Sequence, residues 1–228
     1  MMADLLAVAS GALVGFSLGL IGGGGSILAT PLLLYVVGLP DPHMAIGTSA
    51  LVVSAAAFFN LASHARSGNV SWRSAGVFTA VGMIGALLGS TLGKNFNGDR
   101  LIFLFAFLMI GVGVLMLRPR RVGELGNAAH TLKSDLMITT VGSGVGVLSG
   151  FFGIGGGFLI VPGLMFSARL PMIKAIGSSL LAVGSFGLAT GLNYALSGLI
   201  AWTIAGEYIA GALIGGWLGA RLATHLSI

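Results

Sequence analysis

Residues 5–37 read LLAVASGALVGFSLGLIGGGGSILATPLLLYVV, and residues 136–166 read LMITTVGSGVGVLSGFFGIGGGFLIVPGLMF. Each is one apolar run interrupted once. The interruption is Gly22-Gly23-Gly24-Gly25 in the first and Gly153-Ile154-Gly155-Gly156-Gly157 in the second. A helix crosses a bilayer with about 20 apolar residues. Runs of 33 and 31 residues are too long for one ordinary span and too short for two. Glycine clusters at their middles predict that each run bends inside the membrane, because glycine permits backbone angles that other residues avoid.

The rest of the chain agrees with a membrane setting. Of 228 residues, 56% are hydrophobic and 7% charged, where soluble domains carry about 25% charged residues. Mean hydropathy is +1.02. So few charges exclude a soluble globular surface, and such high hydrophobicity excludes disorder. The 39 glycines do not recur every third residue, which excludes collagen. Further predicted spans run over Met44 to Ser63, Ser74 to Gly93, Leu101 to Leu117, Ile173 to Leu196 and Trp202 to Ala223. The segment Arg118 to Ser134 is the one long polar stretch, and it divides the chain. The N-terminal Met1-Met2-Ala3-Asp4 lacks the positive start of a signal peptide. Cysteine is absent, so disulfides, thiol chemistry and Cys-ligated metals are excluded.

The two parts repeat one another. Gly15 and Gly19 lie opposite Gly146 and Gly150, the glycine clusters coincide, and Pro31 and Pro40 match Pro162 and Pro171. After a slip of one residue, Ala45-Ile46-Gly47-Thr48-Ser49 matches Ala175-Ile176-Gly177-Ser178-Ser179. Gly68 and Trp72 match Gly198 and Trp202, while Gly85, Gly89 and Gly93 match Gly211, Gly215 and Gly219. Residues 1–117 form the first repeat, 118–134 a polar connecting loop, and 135–228 the second repeat. The second repeat has no counterpart of Leu101 to Leu117, which is expected of a short gene or a truncated chain.

Positive charge chooses a topology. If each broken run crossed once, six Lys and Arg would fall on one side and five on the other. If each run dips in and returns, nine fall on one side and only Lys94 and Arg100 on the other. The positive-inside rule favours the second arrangement. The N-terminus is then outside and the 118–134 loop cytoplasmic. Each half has an odd number of segments, so the halves are inverted. The fold class is an all-α polytopic membrane protein of two inverted repeats, with glycine-broken re-entrant or discontinuous helices.

Irregular backbone survives in a membrane only where protein or a wet cavity surrounds it. Short helices are expected to restart near Ser26 and Phe158. Their first N–H groups lack intrahelical partners and carry the positive dipole end, which suits an anion. The substrate-binding candidates are therefore Gly22, Gly23, Gly24, Gly25 and Ser26 in the first cluster and Gly153, Gly155, Gly156 and Gly157 in the second. The hydroxyl pairs Thr48-Ser49 and Ser178-Ser179 could add donors, and Asn60 and Asn193, inside helices, could bond a substrate or a neighbouring helix. Glu207 is a candidate for proton coupling or gating, or else an interfacial residue reaching water. Gly85, Gly89, Gly93, Gly211, Gly215 and Gly219 read as small-xxx-small packing faces. Trp72 and Trp202 read as headgroup-level anchors, and His64 with Arg66 as interface residues. His43, with Asp41 and Pro42, reads as loop.

These glycine clusters with their following prolines, the Ala-Ile-Gly-Thr/Ser-Ser motifs, and the Gly68/Trp72 and Gly198/Trp202 corners resemble the TauE/SafE sulfite exporter family over nearly the whole chain. The resemblance implies a plasma-membrane (inner-membrane) transporter for sulfite or organosulfonates, in a family whose members carry sulfur anions in either direction. The family usually has a final helix that this sequence lacks. The reading is a transporter, not an enzyme: no catalytic residues, no cofactor and no metal are expected. The expected partners are a small sulfur-containing anion and the lipid bilayer, without nucleic acid, and a homodimer is left open. A cation or metal-ion permease is the alternative, disfavoured by the lack of acidic rings and His-rich tracts. A membrane-embedded hydrolase comes third, since no His sits within a predicted helix core to serve as base.

Overall fold

The computed structural model describes residues 2–117, 132–153 and 157–226. The Arg118–Ser134 loop lies almost wholly outside the described residues, as do Gly155 and Gly156. Helices run over Met2–Ile21 (α1), Ala29–Tyr35 (α2), Pro42–Arg66 (α3), Trp72–Lys94 (α4), Gly98–Leu117 (α5), Leu132–Phe152 (α6), Gly157–Ser167 (α7), Met172–Ala195 (α8) and Trp202–Leu226 (α9). A 3₁₀ segment, Gly22–Leu28, joins α1 to α2. Among the described residues there is no strand. All five ordinary spans expected from the sequence are helices, and five helical stretches are long and apolar enough to cross a membrane by length and composition.

Local sequence sets several ends. Asp41 caps α3: its carboxylate accepts from the His43 N–H at 2.8 Å, and Pro42 sits in the first turn. A capping Asp followed by Pro is a strong helix start. The stretch expected as loop around His43 is therefore the first turn of α3.

Helical hydrogen bonding continues from Asp4 to Tyr35, yet this is not one 32-residue rod. A side-chain carbon placed on Gly25 would lie 2.5 Å from the Ser17 carbonyl carbon. In a straight helix eight residues would separate these atoms by about 12 Å. The chain has doubled back. The second run does the same: a carbon placed on Gly163 in α7 would lie 3.4 Å from Val141 in α6. Both broken runs are hairpins.

The repeats interlock reciprocally. The first helix of each half packs against the fourth helix of the other, α1 on α9 and α6 on α4, while α3 and α8 pack together at the centre. The small-residue faces do this work. Side chains at Gly89 and Gly93 would run into Val147 and Phe151 of α6, and side chains at Gly215 and Gly219 into Ala12 and Phe16 of α1. The helix backbones touch where those side chains are missing, as small-xxx-small packing requires. Contacts also give direction. Gly47 lies beside Tyr194 and Gly177 beside Asn69, so α3 and α8 are antiparallel. Gly11, Gly15 and Gly19 meet Tyr208, Ala212 and Gly216 in ascending order, so α1 and α9 are parallel. Helix α5 stands outside this scheme: Phe103, Phe107 and Ile110 are exposed on one side, while Leu101 and Phe105 pack inward.

Candidate functional site

The two hairpin tips meet at the centre. Gly22 and Gly153, equivalent in the repeat, both have left-handed backbones, with φ of +71° and +66°. Only glycine adopts this angle without strain. Space forbids a side chain as well. A carbon on Gly22 would lie 2.7 Å from the Ile176 side chain, and one on Gly153 would strike Ile46, its repeat equivalent. One step on, Gly23 of the first tip lies against Gly157 of the second: a carbon on Gly23 would be 2.6 Å from the Gly157 Cα.

The first tip differs from expectation. No new α-helix starts at Ser26. The chain winds as a 3₁₀ helix from Gly22 and becomes α-helical at Ala29. The reason is steric: consecutive glycines have no side chains to eclipse in the tighter winding. The N–H groups exposed by the break therefore belong to the glycines, not to Ser26 and its successors. On the other side α7 begins at Gly157, one residue before the expected start.

The hydroxyls around the tips are bonded within the protein. The Gly23 N–H donates to Ser179 Oγ at 3.2 Å, and Ser179 Oγ donates to the Ile176 carbonyl at 2.7 Å. Ser26 Oγ donates to the Gly23 carbonyl at 2.9 Å. Ser49 Oγ donates to the Ile46 carbonyl at 2.9 Å and pairs with Thr30 Oγ1 at 2.8 Å. All of these side chains are buried. Thr30 was not singled out in the sequence; its one signal was a hydroxyl next to Pro31 in an apolar run. Gly24 is partly open and borders an apolar cleft of about 250 Å³ lined also by Ile27, Val112 and Phe158.

The other candidates stand apart from the tips. Thr48 Oγ1 accepts from the Ala201 N–H at 3.0 Å, and Ser178 Oγ accepts from the Ser71 N–H at 2.8 Å. These bonds are repeat equivalents of one another and tie each half to the loop before the other half's fourth helix. Asn193 bonds Ser90 Oγ at 2.6 Å and accepts from Lys94 at 2.8 Å, locking α8 to α4. Asn60 is buried between α3 and α9, against Gly216. Glu207 is half-buried near the start of α9, one residue before Tyr208, whose hydroxyl donates to the Ala29 carbonyl at 3.4 Å. His64, expected at an interface, is 2% exposed, with its ring nitrogen 3.2 Å from the Gly19 carbonyl. Trp72 and Trp202 are well exposed at the starts of α4 and α9, where anchors belong.

Paired glycine hairpins inside a multi-pass helical membrane protein define a transporter-like architecture. The chain belongs to the TauE/SafE sulfite exporter family, whose model matches residues 7–228. It is 58% identical to a "Probable membrane transporter protein" of Xylella fastidiosa over 98% of this chain and 86% of that protein. It is 28% identical to the "Probable membrane transporter protein YdhB" of Bacillus subtilis, over 92% of this chain and 86% of that one. A protein of Methanocaldococcus jannaschii, "Probable membrane transporter protein MJ0441", is 27% identical over 73% of this chain. No solved structure matches the chain. The chain is thus a multi-pass membrane transporter.

Proposed function

We propose that this transporter exports sulfite or a related sulfur oxyanion or organosulfonate across the inner membrane. The observation that carries the reading is the bond from the buried Gly23 N–H to Ser179 Oγ, made between the two halves at the meeting of the hairpins. A left-handed residue followed by right-handed ones turns successive N–H groups toward one concave point, which suits an anion. Ser179 supplies a neutral oxygen there. An oxyanion oxygen takes its place when substrate enters, with the N–H groups of the glycine segment as donors. No Lys or Arg is needed for neutralisation at this point.

Transport follows from the duplication. The halves are inverted, so a state open to one side has a counterpart open to the other. The tips pack closely here, and Ser179 bonds across the halves. Inside-negative voltage drives an anion outward by ~2.3 kcal/mol per charge per 100 mV.

The test is flux in proteoliposomes for sulfite, thiosulfate, sulfoacetate and taurine. We expect saturable flux of at least one sulfur anion and its loss in Ser179→Asp, whose carboxylate would occupy the Gly23 amide and repel the anion at low dielectric. Flux of divalent cations without anion flux would overturn the reading, and full anion flux in Ser179→Asp would move the site elsewhere.

A further inference from the structure

The first hairpin has a titratable neighbour. His64 in α3 is 2% exposed, and its Nε2 lies 3.2 Å from the Gly19 carbonyl in the last turn of α1. A carbonyl only accepts, so Nε2 carries the hydrogen and Nδ1 is the basic nitrogen of the neutral ring. Gly19 stands four residues before Gly23, roughly 6 Å of helix rise. The Gly23 N–H is the donor that turns out of the helix to Ser179 Oγ. The imidazole and the amide that faces the anion are thus joined by one short stretch of backbone.

The repeat shows what the imidazole adds. In the register that aligns Gly47 with Gly177 and Gly68 with Gly198, His64 falls on Tyr194. Tyr194 is fully buried as well. Gly19 corresponds to Gly150, whose carbonyl accepts from the Gly153 N–H at 3.1 Å. A buried ring is therefore built into this place in both halves. Tyrosine serves the packing in the second half; only the first half has a ring that takes a proton near neutral pH.

The surroundings leave that proton without a protein counter-ion. Among the described residues of the helices packed on α3, the charged groups at this end are Arg66 of α3 itself, Arg221 of α9 and Lys174 of α8, all basic. Gly19 lies against Gly216 of α9, and Glu207 and Tyr208 precede Gly216 by about 13 and 12 Å of helix. Asp4 is at the far end of α1, and Asp41, Asp99 and Tyr194 belong to the opposite end of α3. Asp135 is paired with Arg73 at 3.4 Å. The last turn of α1 offers its partial negative charge to an imidazolium. A full charge buried here still needs a partner, and an anion at Gly23 supplies one.

We propose that His64 is a proton-binding residue linked to the anion site: an anion taken up at the Gly23 amide brings one proton to His64 Nδ1, and the two cross together. The inference rests on the anion reading of transport. The proton comes from water on the side where the anion enters and returns to water on the side where it leaves. A pocket of about 270 Å³ that is lined by Ser63, next to His64 in sequence, gives this end of α3 a route to water. A dianion that carries one proton keeps one negative charge, so an inside-negative voltage still drives its exit.

The test is calorimetry on full-length protein in phosphatidylcholine nanodiscs. Thiosulfate and methanesulfonate are the probes, since neither gains or loses a proton near neutrality. Titrations run between about pH 6 and pH 8, in two buffers of different ionisation enthalpy. We expect uptake of about one proton per anion bound, and affinity that falls about tenfold per pH unit on the alkaline side. His64→Tyr installs the residue of the second half, and His64→Gln keeps an N–H donor for the Gly19 carbonyl. Both should fold and bind anion without proton uptake, with affinity that no longer follows pH. A structural role alone would not move that pH profile. Binding without uptake in the parent, or uptake that persists in both variants, overturns the proposal and leaves the anion reading standing. Loss of all binding in both variants, with parental melting, overturns it by making the ring an anion ligand. Binding of neither probe by the parent removes the anion reading and the proposal with it.

Discussion

Gly23 and Gly157 touch backbone to backbone where the two hairpins cross, and a side-chain carbon on Gly23 would lie 2.6 Å from the Gly157 Cα. The neighbour in each case is main chain and cannot turn aside. Gly23→Ala and Gly157→Ala therefore force the tips apart, at a cost of about 1–3 kcal/mol for overpacking. We expect both variants to melt earlier than the parent in detergent and to lose most of their flux. Parental melting in both would mean that the tips are not in contact in the working protein.

The helix-face glycines give a controlled comparison. Gly89 in α4 lies against Val147 of α6, whereas Gly76, also in α4, has open space where a side chain would go. Gly89→Leu should abolish stable protein, since the α4–α6 contact has no slack. Gly76→Ala should be neutral or raise stability by about 0.5–1 kcal/mol through the backbone entropy term. Thermal melting of the purified variants decides, and equal destabilisation at both positions would contradict the packing.

Most of this architecture was legible in the sequence because it rests on apolar length and on repetition. Doubling back was legible from charge: only hairpins put nine of the basic residues on one side, and Gly25 does return onto Ser17. The glycine faces were legible because spacing by four fixes a helix face. What was not legible has two sources, distant partners and the local winding of glycines. Thr48 and Ser178 stand in hydroxyl pairs expected to face the substrate. Their partners are backbone N–H groups 153 and 107 residues away, and nothing local encodes such pairings. His64 looked interfacial beside Arg66, but a carbonyl at the end of α1 draws its ring inward. The restart at Ser26 failed because helix signals do not distinguish 3₁₀ from α winding over a few glycines.

Those cross-half bonds predict their own mutational cost. Thr48→Val keeps shape but strands the Ala201 N–H, and Ser178→Ala strands the Ser71 N–H. Each should lower stability by about 1–3 kcal/mol, the usual penalty for an unsatisfied donor. If transport proceeds as proposed, anion affinity in the surviving protein should stay near that of the parent. A large loss of affinity with unchanged melting would return Thr48 and Ser178 to the substrate site.

The hairpins fix which positions share a side of the membrane. α1 enters, the chain reverses at Gly22–Gly25, and α2 ends at Tyr35, so the N-terminus and Tyr35 belong to one side. α3 then crosses, which puts Ser67 on the other. The chain contains no cysteine, so single cysteines at 35 and 67 can be introduced without further changes. In intact cells an impermeant thiol reagent should label Tyr35→Cys and leave Ser67→Cys unlabelled until the membrane is opened. A tag ahead of residue 1 should be reachable from outside under the same conditions. Labelling of both cysteines from one side would rule out α3 as a crossing. Reversed labelling would keep the hairpins but invert the molecule, against the basic-residue asymmetry that favours an external N-terminus.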